Sequence, residues 1–341
     1  MVGNTCTHHM LLGIDPTYVG LAPYTAVLRH PLVLPARALR LKVNPEARVC
    51  LLPIVAGFVG ADAVAVTVAT RLYASDEMRA VVDIGTNGEV VMGTRQRLLA
   101  CSAPAGPALE GAQIRHGMRG AAGAIDRVRL EGEEIRYHVI GEGAPQGICG
   151  SGLIDAVAVA LDAGLVDRTG LIQVEARDRL AASLGSRLEM RGEERVLILV
   201  PRGQVAGGEI VLTQEDIRQV QLAKGAIASG IRMLQRILGV SDDDLAELML
   251  AGGFGNYLSI ESAVRIGLIP ALPLARIRYV GNAAALGAQL ALVSEPERAR
   301  AAALARAIEH VSLATHPDFQ DLFVEAMSFP PQRTHPISDP R

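Results

Sequence analysis

Apolar positions along this chain fall into short runs that switch between the two-residue period of strands and the 3.6-residue period of helices. Val49 to Ile54 is a buried apolar run, and a helix of Ala and Val follows over roughly Ala61 to Ala74, with Asp62 in its first turn behind GFVGAD. AVVDIGTNGEVVMG then places two Val-rich runs around Asn87-Gly88, a strong hairpin signal, and Asp83 ends the first of them. A strand near Leu98 to Ser102 precedes a Gly- and Ala-crowded segment, Pro104 to Ile125, which reads as loop facing a ligand. Strands at Val128 to Leu130 and Ile135 to Ile140 lead into GICGSGLIDAVAVALDAGLV, a glycine turn opening an amphipathic helix that Gly164 caps.

The longest predicted helix runs from Thr213 to Leu238. Thr213 and Asp216 form a capping box, and Gly239 ends it. LAELMLAGGFGNYL and IRYVGNAAALGAQLAL each read as a buried strand entering a glycine turn, the second followed by a helix. Ala22 to Ala47 predicts an irregular Pro- and Arg-rich excursion; Gln173 to Gly208 predicts a polar excursion with one strand, Val196 to Val200; the tail after Pro330 reads as disordered. Strands alternating with helices give an α/β fold class.

At 341 residues, the chain is long enough for one large or two medium domains. It is 50% hydrophobic and 20% charged, the balance of a folded globular protein. A net charge of −3, no Trp and few aromatic residues leave neither a basic field nor a stacking platform for nucleic acid. Cys6, Cys50, Cys101 and Cys149 form no CxxC pair, so no zinc or iron–sulfur ligand run is written here. Pro53, Gly57, Gly60 and Asp62 interrupt the most apolar stretch, and no secretory signal opens the chain; a cytoplasmic location without membrane contact is expected.

DIGTNGE is the most informative segment. Glycine at a hairpin tip lets backbone N–H groups approach phosphate oxygens, and a strand-end carboxylate, Asp83, suits Mg²⁺ held directly or through water. An ordinary hairpin with an Asp near its turn is the competing reading. GGFGNY lacks the glycines of G-x-G-x-x-G, and no segment has the P-loop form. GICGSG is equally an anion site at a helix N-terminus or a tight packed turn. His8 and His9 could touch a partner or corrinoid, but adjacent histidines at such a start read as solvated.

The order GFVGADAVA, DIGTNGE, AKGAI, LAGGFG, GNAAALGA resembles the actin, Hsp70 and sugar-kinase superfamily. GNTCTHHMLLGIDP, LPIVAGFVGAD, AGPALEGAQI, GICGSGLIDA, LAKGAIASGI, LAGGFGNYL and IGLIP resemble, more closely, the ATPase domain of the reductive activators of corrinoid proteins. The resemblance implies an actin/Hsp70-like (RNase H-like) two-lobed ATPase fold with the first lobe incomplete. Its expected parts are 1–79, the end of the first lobe with the connecting helix; 80–295, the second lobe with the nucleotide motifs; and 296–341, a helical segment and tail.

The implied cofactors are ATP and Mg²⁺. The implied function is helping a [2Fe–2S] cluster reduce a Co(II) corrinoid to Co(I) in methyl-transfer systems. By this resemblance Asp83 is the Mg²⁺-associated carboxylate, through water, and Gly85, Thr86, Asn87 and Gly88 form the phosphate hairpin. Gly252, Gly253 and Phe254 form the adenosine turn, Lys224 contacts ribose or base, and Gly281 and Asn282 begin a second connecting helix. Asp62 and Glu110 are further catalytic candidates, positioning water or metal; as a bland alternative, Asp62 is a first-turn helix charge.

Relatives carry an earlier DxGTT hairpin and an N-terminal ferredoxin-like domain with the cluster cysteines, which are not written in this chain. ATP hydrolysis is therefore expected only with that part supplied. The expected partner is a corrinoid protein, and a homodimer stays open. The alternatives are a 2-hydroxyacyl-CoA dehydratase activator-like ATPase and a nucleotide-incompetent module that docks a corrinoid protein.

Overall fold

The computed structural model describes residues 1–205, 208–253 and 258–331, which fall into two compact units. The first comprises 1–103, 229–253 and 272–319. Its centre is a six-stranded mixed sheet in the order Ile277–Gly281, Glu247–Ala251, Arg79–Ile84, Gly88–Gly93, Leu98–Ala103, Ile308–His310. The first three strands run parallel, the hairpin strands alternate, and Ile308–His310 joins Leu98–Ala103 in parallel.

Alternation assigns the two faces of that sheet. Val81, Val91, Ala100 and Met249 share a core with Val64, Ala65 and Val68 of helix Ala61–Thr70. That helix is apolar almost all round, as a helix buried on more than one side must be. Helix Ala283–Val293 lies against it so closely that a Cβ on Gly287 would stand 2.1 Å from the carbonyl oxygen of Ala65. On the opposite face, Gly230 lets its helix approach Cys101 and Ala103. Helix Ala61–Thr70 stops earlier than the composition suggests, at Arg71 with φ 53°, and a 3₁₀ turn, Leu72–Ala74, completes the predicted span.

The predicted irregular excursion contains structure. Leu32–Pro35 pairs antiparallel with Arg48–Leu51, and Ala36–Leu39 forms a 3₁₀ turn between them. Pro35 and the following turn mask the strand signal.

The second unit is described over 104–228, with 206–207 outside, and over 258–271 and 320–331. Ala124–Glu131 pairs with Glu134–Val139 and Gly147–Ile148, and helix Gly150–Asp162 packs on this sheet. Gly152 permits that packing, since a Cβ there would lie 2.2 Å from the Ile125 carbonyl oxygen. Leu188–Arg191, Glu194–Val205 and Gly208–Thr213 form a second antiparallel sheet where sequence pattern gave one strand in a polar excursion. Only the middle of Glu194–Val205 is buried, so its polar ends hide its length.

Thr213 and Asp216 do form a reciprocal capping box. The Asp216 carboxylate accepts from Thr213 N–H at 2.8 Å, and the Thr213 hydroxyl accepts from Asp216 N–H at 3.1 Å. Helix Gln214–Leu238 follows, contributing residues up to Ala228 to the second unit and the remainder to the first. Gly239 ends it with φ 69°. Among the described residues no helix is long and apolar enough to cross a membrane.

Candidate functional site

Strand register in the first unit aligns Ala251 with Asp83, Asp83 with Glu89, and Glu89 with Ser102. This row lies on the sheet face that packs against helix Ala61–Thr70, two residues beyond the apolar Val81–Val91–Ala100 row. Asp62 stands in the first turn of that helix. Three acidic side chains thus converge where an apolar face ends.

All three carboxyls are held above their ordinary range. Burial, and then the charge of Asp62, push the Asp83 carboxyl up to about 6. Burial pushes Glu89 well above its ordinary range, with repulsion from Asp62 and Asp83 adding to it. Burial also raises Asp62, against a hydrogen bond that its carboxylate accepts from Ala63 N–H at 2.9 Å. The Ser102 hydroxyl donates to Glu89 at 3.3 Å, a modest counterweight. Like charges directly opposite on neighbouring strands are destabilising, and buried carboxylates ordinarily carry a partner. Among the described residues, no three His, Cys, Asp or Glu side chains are grouped to hold a metal ion directly. Such a row suits Mg²⁺ that keeps its water shell, because that ion needs few protein ligands.

The turn beside Asp83 has room for a ligand. Its loop is Gly85–Asn87, closed by Gly85 N–H donating to the Asn87 carbonyl at 3.2 Å, with Ile84 paired to Gly88. The predicted hairpin therefore forms, but Asn87-Gly88 is not its two-residue turn, and neither residue has a positive φ. A Cβ on Gly85 would meet only the Asn87 carbonyl, at 3.6 Å. Asn87 also lines a cleft of about 410 Å³ with Asn4, Thr5, Gly57 and Phe58. The Gly3 carbonyl accepts from Ala61 N–H at 3.0 Å, which ties the GNT loop to the start of the Asp62 helix.

The double glycine closes the other side. Gly252 has φ +110°, and a Cβ there would stand 2.5 Å from the Ile84 carbonyl oxygen and 3.0 Å from an Asp83 carboxylate oxygen. Gly253 faces open space, with nothing within 4 Å of such a Cβ. Gly252 N–H donates to the Gly281 carbonyl at 3.0 Å, and Asn282 caps helix Ala283–Val293 through Ala285 N–H at 2.9 Å. Asp62, Asp83, Gly85, Thr86, Asn87, Gly88, Gly252, Gly253, Gly281 and Asn282 all belong to the first unit. Phe254 lies outside the described residues.

Lys224 and Glu110 belong to the second unit. Glu110 is half-buried at the end of the 3₁₀ helix Pro107–Glu110. Lys224 is buried; its ammonium donates to the Ser328 carbonyl at 2.6 Å and lies 5.0 Å from the centre of the Phe329 ring. Gln221, Arg168 and Arg265 donate to the carbonyls of Met327, Phe329 and Pro330, so side chains hold four successive carbonyls of this segment.

His8 and His9 correct the solvated reading: both are buried. The His9 ring accepts from Val27 N–H at 3.0 Å through Nε2, so its Nδ1 carries the proton donated to the Thr5 carbonyl at 2.7 Å. Burial lowers His8 to about 4, which keeps it neutral. Sequence reasoning missed Glu89 as a site residue. The signal was available in the register, since a strand pair closing at Ile84 and Gly88 sets the next residue opposite Asp83.

Comparison with known proteins adds an independent line. The chain matches the C-terminal domain of RACo, the ASKHA domain, over residues 77–339, and the RACo middle region over residues 1–75. It is 39% identical over 325 residues to "Corrinoid activation enzyme RamQ" of Eubacterium limosum, covering 94% of this chain and 54% of the relative. It is 26% identical over 305 residues to "[Co(II) methylated amine-specific corrinoid protein] reductase" of Methanosarcina barkeri, covering 81% and 51%. A solved structure, "Reductive activator for corrinoid,iron-sulfur protein", superposes with a TM-score of 0.87 at 36% identity, covering 96% of this chain and 52% of that one. The chain thus spans about half the length of these relatives.

Proposed function

Because this chain belongs to the RACo family, whose ASKHA domain and middle region it matches, we propose that it is the MgATP-binding portion of an ATP-dependent reductive activator that returns Co(II) corrinoid proteins to Co(I). The observation carrying this reading is the half-buried row of Asp83 and Glu89, with Asp62 nearby, beside the Gly85–Gly88 turn and the Gly252–Gly253 turn, of which Gly253 faces open space. A hydrated divalent cation would offset the negative charge that Asp62, Asp83 and Glu89 gather there.

In this reading Asp83, with Glu89 and Asp62 beside it, would hold a hydrated Mg²⁺, which would offset charge on the phosphates. The absence of a side chain on Gly85 and Gly88 would let phosphate oxygens approach the backbone of this hairpin turn. Gly252 and Gly253 form the flat wall for adenosine, with Gly281 and Asn282 behind them. Bound MgATP supplies phosphoryl-transfer energy, which a two-unit protein can use to bias its conformation. Glu110 and Lys224 enter by resemblance alone, since the bonds seen for Lys224 go to the C-terminal segment.

By the resemblance, a [2Fe–2S] cluster would supply the one electron that turns Co(II) into Co(I). The names of the relatives support a corrinoid protein as partner.

Calorimetric titration with ATP tests the nucleotide part. Binding is expected with Mg²⁺ and strongly reduced in Asp83→Ala; equal affinity with and without Mg²⁺, in both proteins, contradicts it. Following Co(I) absorbance of a corrinoid protein, with a ferredoxin-like donor supplied, tests the remainder. Co(I) formation that ignores this chain and ATP defeats it.

A further inference from the structure

A second site lies elsewhere in the first unit. Arg29, His30 and Pro31, the Pro53–Ile54 turn, and Ala302, Ala305 and Arg306 on the last turns of helix Glu295–Ala307 enclose a cleft of about 280 Å³. Cationic side chains approach it from two separate segments, and no carboxylate lines it. Among the described residues neither Arg29 nor Arg306 forms an ion pair. Arg29 donates to the Val55 carbonyl, which leaves most of its donors unused, and the nearby Glu309 is bound to Arg97 at 2.9 and 3.0 Å.

The bland account is that Arg306 complements the negative end of its helix. That account covers one cation. It does not explain why Arg29, from a separate segment, lines the same hollow, nor why a chain with net charge −3 leaves both guanidinium groups without an ion pair there. The Arg29 charge is felt further in, where it adds to burial in lowering His310. Buried Pro53, Ile54 and Ala305 give the cleft an apolar wall beside the exposed Arg29 and Arg306 side chains. A mostly apolar hollow with a few convergent polar groups is the usual form of a small-ligand site. Guanidinium forks match the oxygen pairs of phosphate and carboxylate.

We infer that this cleft binds the oxyanion group, phosphate or carboxylate, of a small molecule, with Arg306 and Arg29 as its anchors. The site is separate from the Asp83 row and does not depend on the nucleotide reading.

Calorimetry of the full chain tests it, with inorganic phosphate and succinate as separate probes against chloride at equal ionic strength. Saturable binding of at least one probe is expected, and the two arms distinguish the ligand classes. Arg306→Glu is expected to weaken it at least tenfold, Arg306→Lys to retain part of it, and Asp83→Asn to leave it unchanged. Circular dichroism checks that the exposed Arg306 variants fold. Absence of probe-specific binding, an affinity indifferent to Arg306→Glu, or binding lost only in Asp83→Asn would overturn the inference.

Discussion

Asp83→Asn should make the nucleotide-free protein more stable while removing its response to MgATP. The substitution keeps size and removes one charge from a row of half-buried acids. Raising the Asp83 carboxyl from 3.8 to about 6 means that ionised Asp83 costs the folded state about 3 kcal/mol, at about 1.4 kcal/mol per pH unit. The sign follows from linkage: the folded chain holds this proton more tightly than the unfolded chain. The cost is therefore absent below pH 3.8, grows as pH rises, and is complete above about 6. Removing the charge also relieves Glu89, which Asp83 pushes upward. The new amide needs partners of its own, so the expected net gain at pH 8 is about 1–3 kcal/mol, shrinking toward pH 5. Urea unfolding at pH 8 and pH 5, with and without MgATP, reads both effects. Ligand at a hundred times its Kd should add about 2.7 kcal/mol to the wild type and little to the variant. A variant equally destabilised at both pH values, or fully stabilised by MgATP, would refute the reasoning.

The same geometry makes further tests. MgATP affinity of the wild type should fall as pH drops through about 6, where protonation of Asp83 competes with the cation, and a flat calorimetric profile from pH 8 to 5 would count against that role. Gly252→Ala, at φ +110° with its new methyl 2.5 Å from a carbonyl oxygen, should lose about 2 kcal/mol or more in urea unfolding. Gly253→Ala meets open space and should change stability by less than about 1 kcal/mol, yet weaken MgATP severalfold by titration. Thr213→Ala removes half of a capping box and should cost about 1 kcal/mol without altering MgATP affinity, as unfolding and calorimetry together would show.

Local chemistry made much of this fold legible. The Thr213–Asp216 box, Gly239 and the 3.6-residue period specify helix Gln214–Leu238 within the chain itself, and Val-rich runs around one turn specify the Asp83 hairpin. What stayed hidden depends on partners distant in sequence. Leu32–Pro35 becomes a strand by pairing with Arg48–Leu51, and the polar ends of Glu194–Val205 carry no alternating signal. The burial of His8 and His9 rests on contacts with neighbouring segments, among them the Val27 N–H that fixes the His9 ring. Asp83, Gly252 and Gly253 are readable as candidates from their motifs; Glu89 as a candidate requires the register, because a carboxylate on a hairpin strand looks like any solvated charge until its cross-strand neighbour is known.

Nuclear magnetic relaxation by Mn²⁺, substituted for Mg²⁺ in the presence of ADP, would locate the cation with least inference. The account predicts selective broadening of the backbone amides from Asp83 to Glu89 and at Gly252 and Gly253, lost in Asp83→Asn. Broadening centred on other residues, or none with nucleotide bound, would contradict it.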